Sequence, residues 1–117
     1  MTATKNSTVY VTVGMYCGSD GSDLLSPNVF TTRDDARREI ISMILEAAEG
    51  AELVEEGKLL DQAKIMVYAP SLGEPDDSIR DLVHDDTRIP PDVSRIIVKD
   101  NSYDEYWEWK VEERRVF

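Results

Sequence analysis

Hydrophobic and polar residues alternate from Thr8 to Tyr16, with Val9, Val11, Val13 and Met15 on one side and Tyr10, Thr12 and Tyr16 on the other. A period of two, with good β-formers on both faces, predicts a strand. It runs into Cys17-Gly-Ser-Asp20-Gly-Ser-Asp23, which reads as a turn or mobile loop, and Val29-Phe30 reads as the end of a short second strand pairing back on the first. The period then changes. Thr31-Thr32-Arg33-Asp34-Asp35 matches a helix start, with a Thr cap, a carboxylate three residues on, and acids in the first turn where the helix dipole favours them. Ala36, Ile40, Met43, Ile44 and Ala47 follow at helical spacing and Gly50 supplies a stop, so a helix is expected from Arg33 to about Glu49.

The second half is less regular. Lys64 to Ala69 is a short apolar run that predicts a strand ended by Pro70, and Asp76 to His84 carries Ile79, Leu82 and Val83 at helical spacing after a Pro-Asp-Asp start, which predicts a short helix. Ile89-Pro-Pro91 is a break, and Val93 to Lys99 is a second β-rich run. From Tyr103 to Phe117, Trp107, Trp109 and Val111 alternate with Tyr106, Glu108, Lys110 and Glu112, which predicts a strand with one buried and one wet face. The expected fold is therefore α+β: a mixed or antiparallel sheet of four to five strands with one long and one short helix packed against it. A chain of 117 residues suits one domain, expected over 8–117 after a flexible N-terminus at 1–7.

Charge changes the picture. The chain carries 13 basic and 24 acidic residues, a net −11, while 41% of it is apolar, enough to fold. Such a balance repels nucleic acid and anionic membrane, so direct binding to either is not expected. The excess is concentrated in three runs, each of six acids against one base: Glu46 to Asp61, Glu74 to Asp86, and Asp100 to Glu113. A charge run is commonly only a solvated face, but three in one small domain favour a shared electronegative surface.

Little conventional chemistry accompanies it. Cys17 is the one thiol, so neither an intrachain disulfide nor a cysteine zinc site is available, and no segment approaches membrane-spanning length; a cytoplasmic protein is expected. The aspartates of Gly18 to Asp23 oppose phosphate, and Asp20 and Asp23 lack the ligand pattern of a calcium loop. His84 has no second imidazole to share a metal, and a Cys17/His84 nucleophilic pair has no motif behind it. No cofactor and no metal is expected. Trp107 and Trp109, two tryptophans on one strand face, are expected in the core rather than as interface anchors.

Two resemblances bear on function. Pro91-Asp92 with Glu108-Trp109-Lys110 resembles the Pro-Asp and Glu-x-Lys signature of a nuclease superfamily, which implies two acids holding magnesium and a lysine assisting the attacking water; against it stands the net charge. Val9-Tyr-Val-Thr-Val13, Val29-Phe-Thr-Thr-Arg-Asp-Asp-Ala36 and Trp107-Glu-Trp-Lys-Val-Glu-Glu113 together resemble small phage and mobile-element accessory proteins. Size and acidity are also similar to anti-CRISPR and anti-restriction proteins, which implies carboxylates imitating DNA phosphates. The expectation is an inhibitor, not an enzyme, that blocks a basic nucleic-acid-binding effector or nuclease through Glu74, Asp76, Asp77, Asp81, Asp85 and Asp86, with Asp100, Asp104 and Glu105 as a second patch. An immunity protein or antitoxin against a basic toxin uses the same physics, and a phage assembly module with merely solubilising acidity is the contrasting case.

Overall fold

The computed structural model describes residues 7–18, 21–81, 89–100 and 106–116. Five strands, β1 (Ser7–Gly18), β2 (Gly21–Phe30), β5 (Ala63–Tyr68), β6 (Arg95–Asp100) and β7 (Tyr106–Val116), form one sheet in the order β2-β1-β7-β6-β5. Every neighbouring pair is antiparallel. Among the described residues one α-helix, α1 (Arg33–Gly50), packs on the sheet, and a two-stranded hairpin, β3 (Val54–Glu55) and β4 (Lys58–Leu59), follows it. The α+β class is as the periodicity predicts.

Helix α1 begins where its cap dictates. The Thr32 hydroxyl accepts a hydrogen bond from the Asp35 N–H at 3.2 Å, and Asp34 and Asp35 occupy the first turn. Ala36, Ile40, Ile44 and Ala48 form its buried stripe at a spacing of four. The stop is not at Gly50, which is still helical. The chain leaves through a Schellman arrangement in which the Glu52 N–H donates to Glu49 O (3.1 Å) and the Leu53 N–H to Ala48 O (2.8 Å), with Leu53 buried beside Ala48 in the core. The left-handed residue this motif requires is Glu52, φ 59°. Glu56 (φ 53°) and Gly57 (φ 79°) then turn β3 into β4, both with the positive φ of a type I′ hairpin.

Two segments depart from expectation. Of the stretch from Cys17 to Asp23 read as a loop, Cys17 and Gly18 end β1 and Gly21 to Asp23 begin β2, while Ser19 and Asp20 lie outside the described residues; β2 then runs through to Phe30 because β1 offers it a ladder from Tyr10↔Phe30 to Gly18↔Gly21. The ladder slips between Thr12 and Gly14, where β2 carries one extra residue near Pro27, as an edge strand tolerates. The short helix expected from Asp76 is absent over Asp76–Asp81. Asp76 instead exchanges two 2.9 Å backbone hydrogen bonds with Val67 on the outer side of β5, and Ile79 reaches the core from non-helical chain. Among the described residues the one helical turn nearby is a 3-10 turn at Pro70–Leu72. Leu82, Val83 and His84 lie outside the described residues, as do residues 1–6 of the expected flexible N-terminus; Ser7 is already in β1.

The ladders fix which side chains share a face. Trp109, Ile96 and Val67 lie in one cross-sheet row, Val98 and Ile65 in the next, and all are buried in the core with Ile40 and Ile44 of α1. Trp109 has no exposed surface, as a core residue should; Trp107 is half-buried and lies 5.2 Å, centroid to centroid, from Tyr16. The opposite face carries the rows Leu24–Met15–Glu108–Ile97–Met66 and Val13–Lys110–Arg95–Tyr68. The Val9, Val11, Val13, Met15 side of β1 thus points away from α1. The expected wet face of β7 is also not wet at Glu108, which is only 7% exposed.

Candidate partner-binding surface

The three acidic runs meet different fates. The third is neutralised on β7. Glu108 accepts from Arg95 at 3.0 Å and lies 3.4 Å from Lys110, Glu112 pairs with Arg114, and Glu113 sits 3.9 Å from Arg33 and accepts weakly from the Tyr10 hydroxyl at 3.5 Å. Asp100 at its start also has a partner, and Asp104 and Glu105 lie outside the described residues.

In the second run the described acids are largely occupied. Asp76 Oδ1 accepts from the Ser78 N–H (2.9 Å) and hydroxyl (2.7 Å), Asp77 pairs with Lys64 at 3.1 Å, and Asp81 has a partner of its own. Glu74 is exposed, and Asp85 and Asp86 lie outside the described residues.

The first run differs. Glu46, Glu49, Glu52, Glu55 and Glu56 are all exposed, and among the described residues no cation forms an ion pair with any of them. They are clustered at one end of α1 and on the hairpin that follows. Glu46 and Glu49 lie where the helix dipole is already negative, and no base occupies the last turn. Composition marks this run as acidic but does not set it apart from the other two. The signal was present: Asp34 has Arg38 one helical turn on and pairs with it at 3.0 Å, whereas neither Glu46 nor Glu49 has a base at three or four residues in either direction.

The fold joins the first run to the second. Lys58 of β4 forms an isolated antiparallel bridge with Asp81, and the Leu59 N–H donates to Arg80 O at 2.6 Å. Arg80 clamps this junction. Its guanidinium donates to the carbonyls of Ala63 (3.0 Å), Leu59 (3.2 Å) and Leu60 (2.6 Å) and lies 3.8 Å from Asp61. Its charge is turned toward the backbone and Asp61, so it does little to offset the glutamates beyond.

The residues of the other candidate chemistries are placed apart. The Asp92 carboxylate is taken by Ser71, whose N–H and hydroxyl donate at 2.8 and 2.7 Å; that hydroxyl, above all, holds the Asp92 carboxyl below its usual pKa. Glu108 belongs to Arg95 and Lys110 instead. Among the described residues no group of three or more His, Cys, Asp and Glu side chains is disposed to hold a metal. Cys17 is opposite Tyr106 on β7, and its hydrogen bond, followed by its charge, pushes the Tyr106 phenol above its usual pKa; His84, its hypothetical partner, and Asp20 lie outside the described residues. Beside Glu46 there is a cleft of about 360 Å³ lined by Met43, Ala47 and Trp109.

Comparison with protein-family models, with curated proteins and with solved structures returns no match. Among the described residues no helix is long and apolar enough to cross a membrane.

Proposed function

We propose that this chain is a binding protein that occupies the basic, nucleic-acid-binding groove of another protein, its carboxylates standing where phosphates would. The observation that carries the reading is the set of five exposed glutamates, Glu46 to Glu56, without an ion-pair partner among the described residues, at the junction with the second acidic run. Like charges gathered in this way cost self-repulsion, and a cationic partner relieves it. Association driven by such a surface is fast and weakens with salt. Glu74, Asp76, Asp77 and Asp81 extend the surface from the second run in this reading. The natural setting is a mobile-element inhibitor of a CRISPR effector or another defence nuclease. An immunity protein facing the active groove of a basic toxin presents the same surface.

The test is displacement of labelled duplex DNA from a panel of purified defence nucleases and basic toxins, followed by anisotropy at 50 and 300 mM NaCl. The wild-type chain should displace DNA from its cognate partner at low salt. Glu46→Lys, Glu49→Lys and Glu55→Lys combined should abolish displacement, and Asp76→Lys with Asp77→Lys should weaken it less. Undiminished displacement by the triple variant would sink the assignment to this surface; no displacement of DNA from any panel member would sink the mimicry.

A further inference from the structure

The cleft beside Glu46 holds about 360 Å³, within the roughly 300 to 1,000 Å³ range of ligand pockets. It lies between α1, which supplies Met43, Glu46 and Ala47, and β7, which supplies Trp109. Two depressions on the opposite face of the sheet, of about 130 and 230 Å³, are smaller than that range, and both border Glu108, whose charge Arg95 and Lys110 already meet.

Two polar side-chain groups border the cleft beside Glu46, and both lack a partner among the described residues. The Glu46 carboxylate is exposed and forms no ion pair. The indole N–H of Trp109 is buried and has no acceptor, a costly state for a donor shut away from water. The carboxylate calls for a cation and the N–H for an acceptor. An anion is disfavoured, because Glu49 follows three residues on, the last turn of α1 holds no base, and the helix dipole is negative at this end. The rest of the lining, Met43, Ala47 and the indole ring, is apolar. We infer that this cleft binds a small organic cation: an ammonium group beside Glu46, an apolar body against Met43 and Ala47, and an oxygen that accepts from the Trp109 N–H.

The order of these groups favours a free molecule over a side chain of a partner protein. Glu46 is exposed and Trp109 has no surface open to water, so the carboxylate stands at the mouth and the indole at the floor. A lysine or arginine entering tip first would bring further donors to the floor and leave the indole N–H unpaired. Met43, unbranched and adaptable, can shift to admit a ligand to the indole. Because Glu46 is solvated, its charge selects the sign of the ligand more than it adds strength, and burial of the apolar body supplies most of the affinity. The inference stands without the groove-binding reading, which needs the whole set of glutamates and no cleft.

Proton–nitrogen correlation NMR of the full chain at neutral pH tests this, since Trp107 and Trp109 alone give indole N–H signals and Trp107→Phe identifies that of Trp109. Tyramine, which carries an ammonium group, an aromatic body and a phenol oxygen, should shift the Trp109 signal saturably with a Kd on the order of 1 mM. Phenethylammonium, which lacks the oxygen, should bind roughly threefold more weakly. The carboxylate 3-(4-hydroxyphenyl)propionate, which reverses the charge, should bind roughly fivefold more weakly than tyramine. Glu46→Gln, a change at an exposed helix position, should weaken tyramine roughly threefold, and Glu49→Gln, outside the cleft lining, should weaken it less. The inference would be overturned by a Trp109 signal unmoved by tyramine to about 20 mM, by phenethylammonium or the carboxylate probe binding as well as tyramine, or by a Glu46→Gln variant that titrates as the wild type does.

Discussion

Arg95 reaches diagonally from β6 to β7 and donates from Nη2 to Glu108 Oε2 at 3.0 Å, with its guanidinium 5.1 Å from the centre of the Tyr68 ring. The partners differ in exposure: the Glu108 side chain is 9% exposed and that of Arg95 41%. Removing the arginine therefore strands a carboxylate that has little access to water, while removing the carboxylate leaves a cation that can turn outward. Arg95→Ala should cost about 1 to 2 kcal/mol, below the 3 to 5 typical of a fully buried pair because Lys110 stays close and the arginine is partly solvated. Glu108→Gln should cost less. Urea denaturation of both variants and their double mutant reads the coupling, and equal losses would contradict the asymmetry.

Glu52 and Glu56 both occupy left-handed backbone, at φ 59° and 53°. Such a conformation costs a residue with a Cβ roughly 1 kcal/mol relative to glycine. Glu52→Gly should accordingly raise the unfolding free energy by about 1 kcal/mol, and Glu56→Asn, which suits a type I′ turn, by a few tenths. Each change also removes a charge from the proposed binding surface, so stability should rise as partner affinity falls. Chemical denaturation paired with the DNA-displacement assay measures both, and a stabilised variant with undiminished binding would remove that residue from the surface.

Thr12 is 2% exposed on the helix-facing side of β1, and its hydroxyl has no hydrogen-bond partner. Its register partners there are Asn28 and Val111. A buried hydroxyl without an acceptor costs about 1 to 3 kcal/mol, and valine has nearly the same shape with a higher strand preference. Thr12→Val should raise stability by about 1 kcal/mol in urea titration, with Thr12→Ser lower than wild type. A loss of stability in the valine variant would mean that the hydroxyl is satisfied.

What could be read from the residues divides along a physical line. Thr32 with Asp35, the spacing of Ala36, Ile40 and Ile44, and the alternation through Trp107 and Trp109 are local signals, and α1 and β7 follow them. Strand β2 was mostly hidden because Gly21, Ser22, Asp23 and Pro27 are poor strand formers, and only the partner β1 makes them extended. The spacing of Ile79 suggests a helix, yet the outer side of β5 holds Asp76 in a backbone bridge with Val67, and the chain there is not helical. The candidate site divides the same way. Acidic runs are visible in composition, but whether a run is neutralised depends on neighbours brought in by the fold, such as Arg95 of β6 and Arg33 at the start of α1, which lie 13 and 80 residues from the acids they meet. The missing helical partner of Glu46 and Glu49 was the one local clue.

Asp92 offers a test in acid. The Ser71 hydroxyl is the largest influence depressing its carboxyl, with the Ser71 N–H also contributing. In the unfolded chain the group returns to an ordinary value of about 3.9. A carboxyl depressed in the folded state contributes stability that is present above the unfolded value and is lost as pH falls through the folded one. Ser71→Ala removes the hydroxyl donor but keeps the backbone N–H, so Asp92 should titrate at a higher pH in the variant than in the wild type. The variant should be less stable than wild type at pH 7, and the gap should narrow once both carboxyls are protonated. Carbon-13 NMR of the Asp92 carboxyl reads the first effect, and urea midpoints at neutral pH and near pH 2 read the second. An unchanged titration, or a stability gap of the same size at both pH values, would show that the Ser71 hydroxyl does not hold this turn through the ionised carboxylate.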